Sequence, residues 1–168
     1  MQKHDMAVQD LRHRVLTDWR YFIGFGFGSG LLPKMPGTWG TLTAIPLVFA
    51  ASYLPLWCSM TLVMLYFILG AYLSGILSTE LGVHDYGGVN CDEVVGFLCV
   101  MLPFPCTWQY LLLGFVLFRF FDIVKPFPIA WVDCHVKGGF GMMFDDIVAA
   151  IMSMMLMFLV QYGVTFLK

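Results

Sequence analysis

Between Phe118 and Asp146 the chain gathers seven of its twenty charged side chains and one of its four histidines. The stretch FRFFDIVKPFPIAWVDCHVKGGFGMMFDD carries Arg119, Asp122, Lys125, Asp133, His135, Lys137, Asp145 and Asp146, although only 12% of the 168 residues are charged. Arg119, Asp122 and Lys125 follow one another at intervals of three, which places them on one broad arc of a helix. Pro126 and Pro128 end that helix, because the residue before a proline disfavours the helical region. Two acidic pairs, Asp92-Glu93 and Asp145-Asp146, each stand immediately before an apolar run. One carboxylate at a helix start is accounted for by capping and the helix dipole. Two at each start, with Asp85, Asp122 and Asp133 on the same face, exceed that need. Hard oxygen ligands in such number suit Mg²⁺, which takes a few carboxylates and keeps waters for a phosphate to replace; salt-bridged helix ends are the plainer alternative. Arg119, Lys125, Lys137 and Lys34 lie among these acids and suit phosphate recognition, against a plainer reading of charge compensation and snorkelling. His84 and His135 are candidates to protonate a leaving oxygen, or simple surface histidines.

The elements that must hold these groups are strongly apolar. Apolar residues make up 60% of the chain, aromatic residues 17%, and the mean hydropathy is +0.80. A soluble domain carries about 25% charged residues, so the composition excludes that class and points to a membrane protein whose scarce charges are functional. No linker divides the chain, and one domain over 1–168 is expected. The opening residues MQKHDMAVQD are polar and acidic, unlike a secretory leader. Five cysteines show neither a C-x-x-C pair nor zinc spacing; Cys58 and Cys106 are the one pair that the topology below would bring to a common face.

Residues 5–22 read as an amphipathic helix with Val8, Leu11, Val15, Trp19 and Phe22 on one stripe and Arg12, Arg14 and Arg20 beside it. Such a helix either lies on an anionic membrane face or packs on the rest of the protein. The segment 24–41, GFGFGSGLLPKMPGTWGT, is too rich in Gly and Pro for a regular span; it lacks a Walker A pattern and reads as a packing or re-entrant turn before it reads as a phosphate cradle. Apolar runs at 41–57, 59–78 and 147–167 approach the ~20 residues needed to cross a bilayer, whereas 94–103 and 108–118 are short and form a helical hairpin. The expected architecture is all-α and polytopic, with an interfacial helix over 1–22, a motif-bearing core over 24–150, about three full spans and a hairpin at 94–118. This topology puts Lys3, Arg12, Arg14, Arg20, Lys34, Arg119, Lys125 and Lys137 on one side and only Lys168 on the other. Short loops rich in Lys and Arg stay in the cytoplasm, so the acidic residues on that side face it too.

Four blocks, GFGSGLLPKMPGTWGTL (26–42), ELGVHDYGGVNCDEVVG (80–96), FRFFDIVKPFPIAWVD (118–133) and GGFGMMFDDIVAA (138–150), resemble the phosphatidylglycerophosphatase A family in kind and in order. That resemblance implies a Mg²⁺-dependent enzyme of the bacterial cytoplasmic membrane that hydrolyses phosphatidylglycerophosphate to phosphatidylglycerol. It implies site roles for Asp92 and Glu93, for Arg119, Asp122 and Lys125, and for Asp145 and Asp146, and it brings the Thr38 and Thr41 hydroxyls within the motif near phosphate. Cys91 and Cys134 are not residues of the pattern.

The expectation is therefore a lipid phosphatase. Metal ligands are drawn from Asp92, Glu93, Asp122, Asp145 and Asp146, and catalytic carboxylates from Asp92, Glu93, Asp122 and Asp146. Arg119, Lys125, Lys137, Thr38 and Thr41 contact phosphate, with His84, Asp85, Asp133 and His135 as further candidates. Attack by an oriented water and an aspartyl-phosphate intermediate both remain open. The partner is a phospholipid in a membrane, with no nucleic acid. A CDP-alcohol phosphotransferase would need a long D-G…A-R…G…D…D run, which is missing. A cation transporter would place its ionisable residues mid-helix.

Overall fold

In the computed structural model the described residues are 2–83 and 86–166, with side chains from residue 10 onward. Every regular element among them is helical: α1 (Gln2–Thr17), α2 (Trp19–Gly24), a 3₁₀ turn (Ser29–Leu31), α3 (Pro36–Ala51), α4 (Leu56–Leu81), α5 (Cys91–Met101), α6 (Trp108–Val124), α7 (Ile129–His135) and α8 (Gly138–Phe166).

The shortest of the inner helices is the centre. α5 is apolar all round after its first turn, and Val94, Val95, Gly96, Phe97, Leu98, Val100 and Met101 are buried, as expected of a helix with no polar face. It is enclosed by α8, α3, α4 and α6. A one-turn stop follows at Leu102–Thr107, and α6 returns antiparallel, so the hairpin expected at 94–118 is present. The first turn of α5, with Asp92 and Glu93, and the last turn of α6, with Arg119 and Asp122, consequently share one end of the bundle.

Three expectations are corrected. Only α4 and α8 among the described residues are long and apolar enough to cross a membrane. At 1.5 Å per residue they reach about 39 and 43 Å, but α3, with 16 residues, reaches only about 24 Å against a hydrocarbon core of about 30 Å. A third full span is not confirmed among the described residues: α3 stops at Ala51, where Ser52–Pro55 turns the chain, and its start at Pro36 does not make up the length. The helix expected at 147–167 instead begins at Gly138, so Asp145 and Asp146 lie two turns inside α8 rather than ahead of it. The reason is close packing: a Cβ at Gly139 would strike the Ala71 carbonyl and meet Gly75 Cα at 3.0 Å. Gly139 lets α8 lie against α4, Gly141 lets it pass the Val136 carbonyl, and the stretch is not a loop. Finally, the amphipathic helix breaks at Asp18, whose side chain accepts from the Arg20 N–H and caps α2. Val15 packs in the core while Trp19 and Phe22 are exposed; the side chain of Val8 lies outside the described residues.

Candidate functional site

α5, α6, α7 and α8 converge on a polar cavity of about 270 Å³ walled by Asp92, Glu93, Asp122, Lys125, Asp133, Lys137, Asp145 and Asp146, with Cys134, Val136, Gly141 and Met142. A larger cavity, about 430 Å³, opens at the opposite end of the bundle, but its walls carry neither carboxylate nor cation. The chemistry belongs to the first.

Within it, carboxylate oxygens of Asp92, Glu93 and Asp146 all lie within 4.8 Å of one another. The other two acids expected to bind metal are held by cations. Asp122 Oδ2 is 2.7 Å from Arg119 Nη1, and Asp145 Oδ2 accepts from Lys125 Nζ at 2.7 Å. Lys125 also meets Asp133 Oδ1 at 3.0 Å. It can reach both because it ends α6 in the left-handed conformation, φ 44°, which turns its stem back under Pro126 toward α7 and α8.

Electrostatics make the cluster unstable by itself. Burial, first, and the neighbouring charges of Asp146 and Asp122 lift the Glu93 carboxyl to about 8. Burial and then Glu93 raise Asp92 as well. Burial opposes the charge on Lys125, yet its pairs with Asp145 and Asp133 prevail and raise its pKa. Among the described residues, Glu93 Oε2, Asp145 Oδ1, Asp146 Oδ2 and Arg119 Nε and Nη1 are buried without a hydrogen-bond partner; Arg119 Nη1 is near Asp122 but off the N–H direction. Buried polar groups are normally satisfied, so these atoms are aimed at something the described residues do not supply. Crowded, oxygen-only donors with unfilled lone pairs fit a hard divalent cation such as Mg²⁺, and unfilled guanidinium donors fit an anion.

Not every expected residue joins. Thr41 is fully buried and its hydroxyl donates to Gly37 O one turn back at 2.9 Å; neither it nor Thr38 lines the cavity. His135 is exposed, stacks on Trp131 and keeps Nδ1 2.7 Å from the Trp131 carbonyl, outside the cavity walls. His84 and Asp85 lie outside the described residues. The cysteines, Cys58 and Cys106 included, are free thiols.

Two contributors escaped the sequence reading. At the start of α3, Gly37 stands where a Cβ would run into Glu93 Oε1 and lie 3.0 Å from both terminal nitrogens of Arg119, so the P-G-T block serves the site through an absent side chain and not through its hydroxyls. Asn90 is completely buried, and its Nδ2 donates to Ser29 Oγ at 2.9 Å and to Pro36 O at 2.8 Å. It ties the Gly-rich segment to the first turn of α5. A polar residue two positions before Asp92 was the available signal, but an asparagine before a helix reads as an N-cap, and here its side chain bonds away from its own helix.

Residues 22–161 match the family described as PgpA, phosphatidylglycerophosphatase A. The chain is 43% identical over 144 residues to phosphatidylglycerophosphatase A of Haemophilus influenzae, covering 84% of this chain and 88% of that protein. It is 41% identical over 147 residues to the Escherichia coli protein of the same name, covering 87% and 85%. A Bacteroides thetaiotaomicron protein, provisionally named a phosphatidylinositol-3-phosphatase, is 38% identical over 143 residues, covering 80% and 88%. No solved structure matches significantly.

Proposed function

The chain belongs to the phosphatidylglycerophosphatase A family, and from that premise we propose that it hydrolyses the terminal phosphate monoester of phosphatidylglycerophosphate, giving phosphatidylglycerol and inorganic phosphate in phospholipid synthesis. The observation that carries this reading is the match over 22–161, which encloses every wall residue of the polar cavity. The enzyme is a phosphoric monoester hydrolase.

Asp92, Glu93 and Asp146 would hold Mg²⁺, which when bound polarises phosphoryl oxygens and offsets their charge. Arg119 stands outside the cavity wall but against two of its residues, Asp122 and Glu93, and its unpartnered Nε and Nη1 donors would serve the phosphoryl group from there. Donors fixed in advance in a water-poor site stabilise growing charge far better than mobile ones. A water oxygen forms the new bond to phosphorus as the bond to the glycerol oxygen breaks. The proton of the water passes to a carboxylate of the Asp92–Asp146 pair, and the glycerol oxygen leaves as an alcohol after taking a proton. Lys125, clamped by Asp133 and Asp145, keeps α6, α7 and α8 in register around these events. The cations at this end of the bundle favour a cytoplasmic face in the bacterial inner membrane.

The test is phosphate release from phosphatidylglycerophosphate in mixed micelles by the purified chain, with and without EDTA. Release that EDTA abolishes and Mg²⁺ restores is expected, with slower release from phosphatidylinositol 3-phosphate. No release from either lipid, together with cation flux in liposomes, would replace the enzyme with a transporter.

A further inference from the structure

We propose that Lys137 forms a second anion subsite at the mouth of the cavity, reading the phosphodiester of the lipid headgroup while the buried groups take the terminal phosphate. This rests on the lipid-phosphatase reading above and names what makes that site select a lipid carrying two phosphates.

Three cations bear on the cavity, and they differ in what charge they have left. Arg119 is 14% exposed and lies against Asp122 and Glu93. Lys125 is gripped by two carboxylates. Lys137 lines the same cavity, is exposed, and has no carboxylate partner among the described residues. Its place in the chain explains its position. It closes the α7–α8 junction and is followed by Gly138, at φ 77°, where α8 begins. Three residues on, Phe140 is exposed on the outside of α8, and Trp131 is exposed on α7. Lys137 therefore stands between the buried carboxylates and an aromatic outer surface of the kind that sits at a bilayer interface.

A phospholipid with a terminal phosphate must thread that interval. Its monoester goes in among the buried groups, its acyl chains stay in the bilayer, and its diester, one glycerol away from the monoester, lies between them at the mouth. The fixed charge there is otherwise acidic, with Asp133 and Asp145 already committed to Lys125. An anion at that point needs a cation with charge to spare, and a lysine on a flexible stem supplies a point charge without demanding one geometry.

Phosphatidylglycerol keeps the diester and lacks the monoester; inorganic phosphate is the reverse. Both serve as inhibitors of phosphate release by the full chain, Lys137→Gln and Lys137→Arg, with a neutral diacylglycerol at equal mole fraction controlling for surface dilution. Lys137→Gln should raise KM, and the phosphatidylglycerol needed for half-inhibition, about tenfold, the scale of one charge-assisted hydrogen bond. Inhibition by inorganic phosphate should stay within about twofold on that same scale, and Lys137→Arg should recover both values. Equal weakening of both inhibitors, no shift in either, or an unmutated chain that phosphatidylglycerol does not inhibit overturns the subsite. An unmutated chain that releases no phosphate from phosphatidylglycerophosphate defeats the parent reading first, and is recognised before any variant is compared.

Discussion

Two ionic clusters occupy the same end of this bundle and behave oppositely. On one side Arg20 donates to Asp18 Oδ2 at 2.7 Å and to Glu80 Oε1 at 2.9 Å, while the Tyr21 hydroxyl donates to Glu80 Oε2 at 2.9 Å. Each acid there has a donor, and each donor a structural purpose: capping α2 and tying it to the end of α4. On the other side, five of the seven buried side-chain atoms that lack a hydrogen-bond partner among the described residues belong to Glu93, Arg119, Asp145 and Asp146. Leaving such atoms unpaired costs about 1–3 kcal/mol each, more when charged. A fold that satisfies one cluster and leaves its neighbour short has not run out of donors; the second cluster is shaped for a ligand. The difference separates structure from site better than counting charges does.

The comparison breaks most readily on the carboxylates. Asp92→Asn and Asp146→Asn should each lower phosphate release by about 10²–10⁴-fold while the protein still folds, because each removes charge from an overcrowded group. Circular dichroism and thermal midpoint check the fold, and phosphate release checks the chemistry. Rates near the unmutated value in both would place the metal and the base elsewhere. Gly37→Ala should come next. The nearest atoms to its methyl would be the side-chain ends of Glu93 and Arg119 and not backbone, so the thermal midpoint should hold while the rate falls about 10–100-fold, the scale of a displacement near 1 Å. A full rate in that variant would mean the two side chains tolerate displacement and are not a preset pair.

Much of this site was legible in the chain, for a physical reason. Charge is scarce in an apolar protein, so each charged residue stands out, and Arg119-x-x-Asp122 on a helix arc needs only the 3.6-residue period to be placed. Apolar runs gave α4, α5 and α6 to within a few residues. The start of α8 was hidden because Gly138-Gly139-x-Gly141 reads locally as a loop, and only the facing backbone of Ala71 and Gly75 shows why α8 continues through it. Thr41 was misleading for a related reason: a hydroxyl in an apolar helix bonds its own backbone four residues back. Asn90 and Gly37 act across about fifty to eighty residues of chain, on partners no local pattern names.

Asn90 sharpens the boundary between the two kinds of cluster, since its Nδ2 is satisfied while its Oδ1 is itself one of the seven unpartnered atoms. Asn90→Ala removes the Nδ2 that serves Ser29 and Pro36 and leaves two enclosed acceptors without it. The expected loss is about 1–3 kcal/mol of stability, read from a denaturation midpoint in detergent, with a fall in kcat larger than the change in KM because the first turns of α3 and α5 lose their register. An unchanged midpoint would show that water takes over both acceptors.

The smallest effect belongs to the satisfied cluster. Glu80→Gln keeps one oxygen to accept from Arg20, turns an N–H donor toward the Tyr21 hydroxyl oxygen, and removes the charge from a side chain that is 34% exposed and faces an arginine 35% exposed. Ion pairs so open to water contribute roughly 0–1 kcal/mol, and Asp18 remains to hold Arg20. The thermal midpoint should therefore fall only slightly, and less still in high salt, where screening has already weakened the pair. Phosphate release should stay within about twofold, because a structural pair this weak has no route to the chemistry other than through the fold. A loss of activity comparable to Asp146→Asn, at an unchanged midpoint, would move Glu80 into the site and erase the distinction between the two clusters.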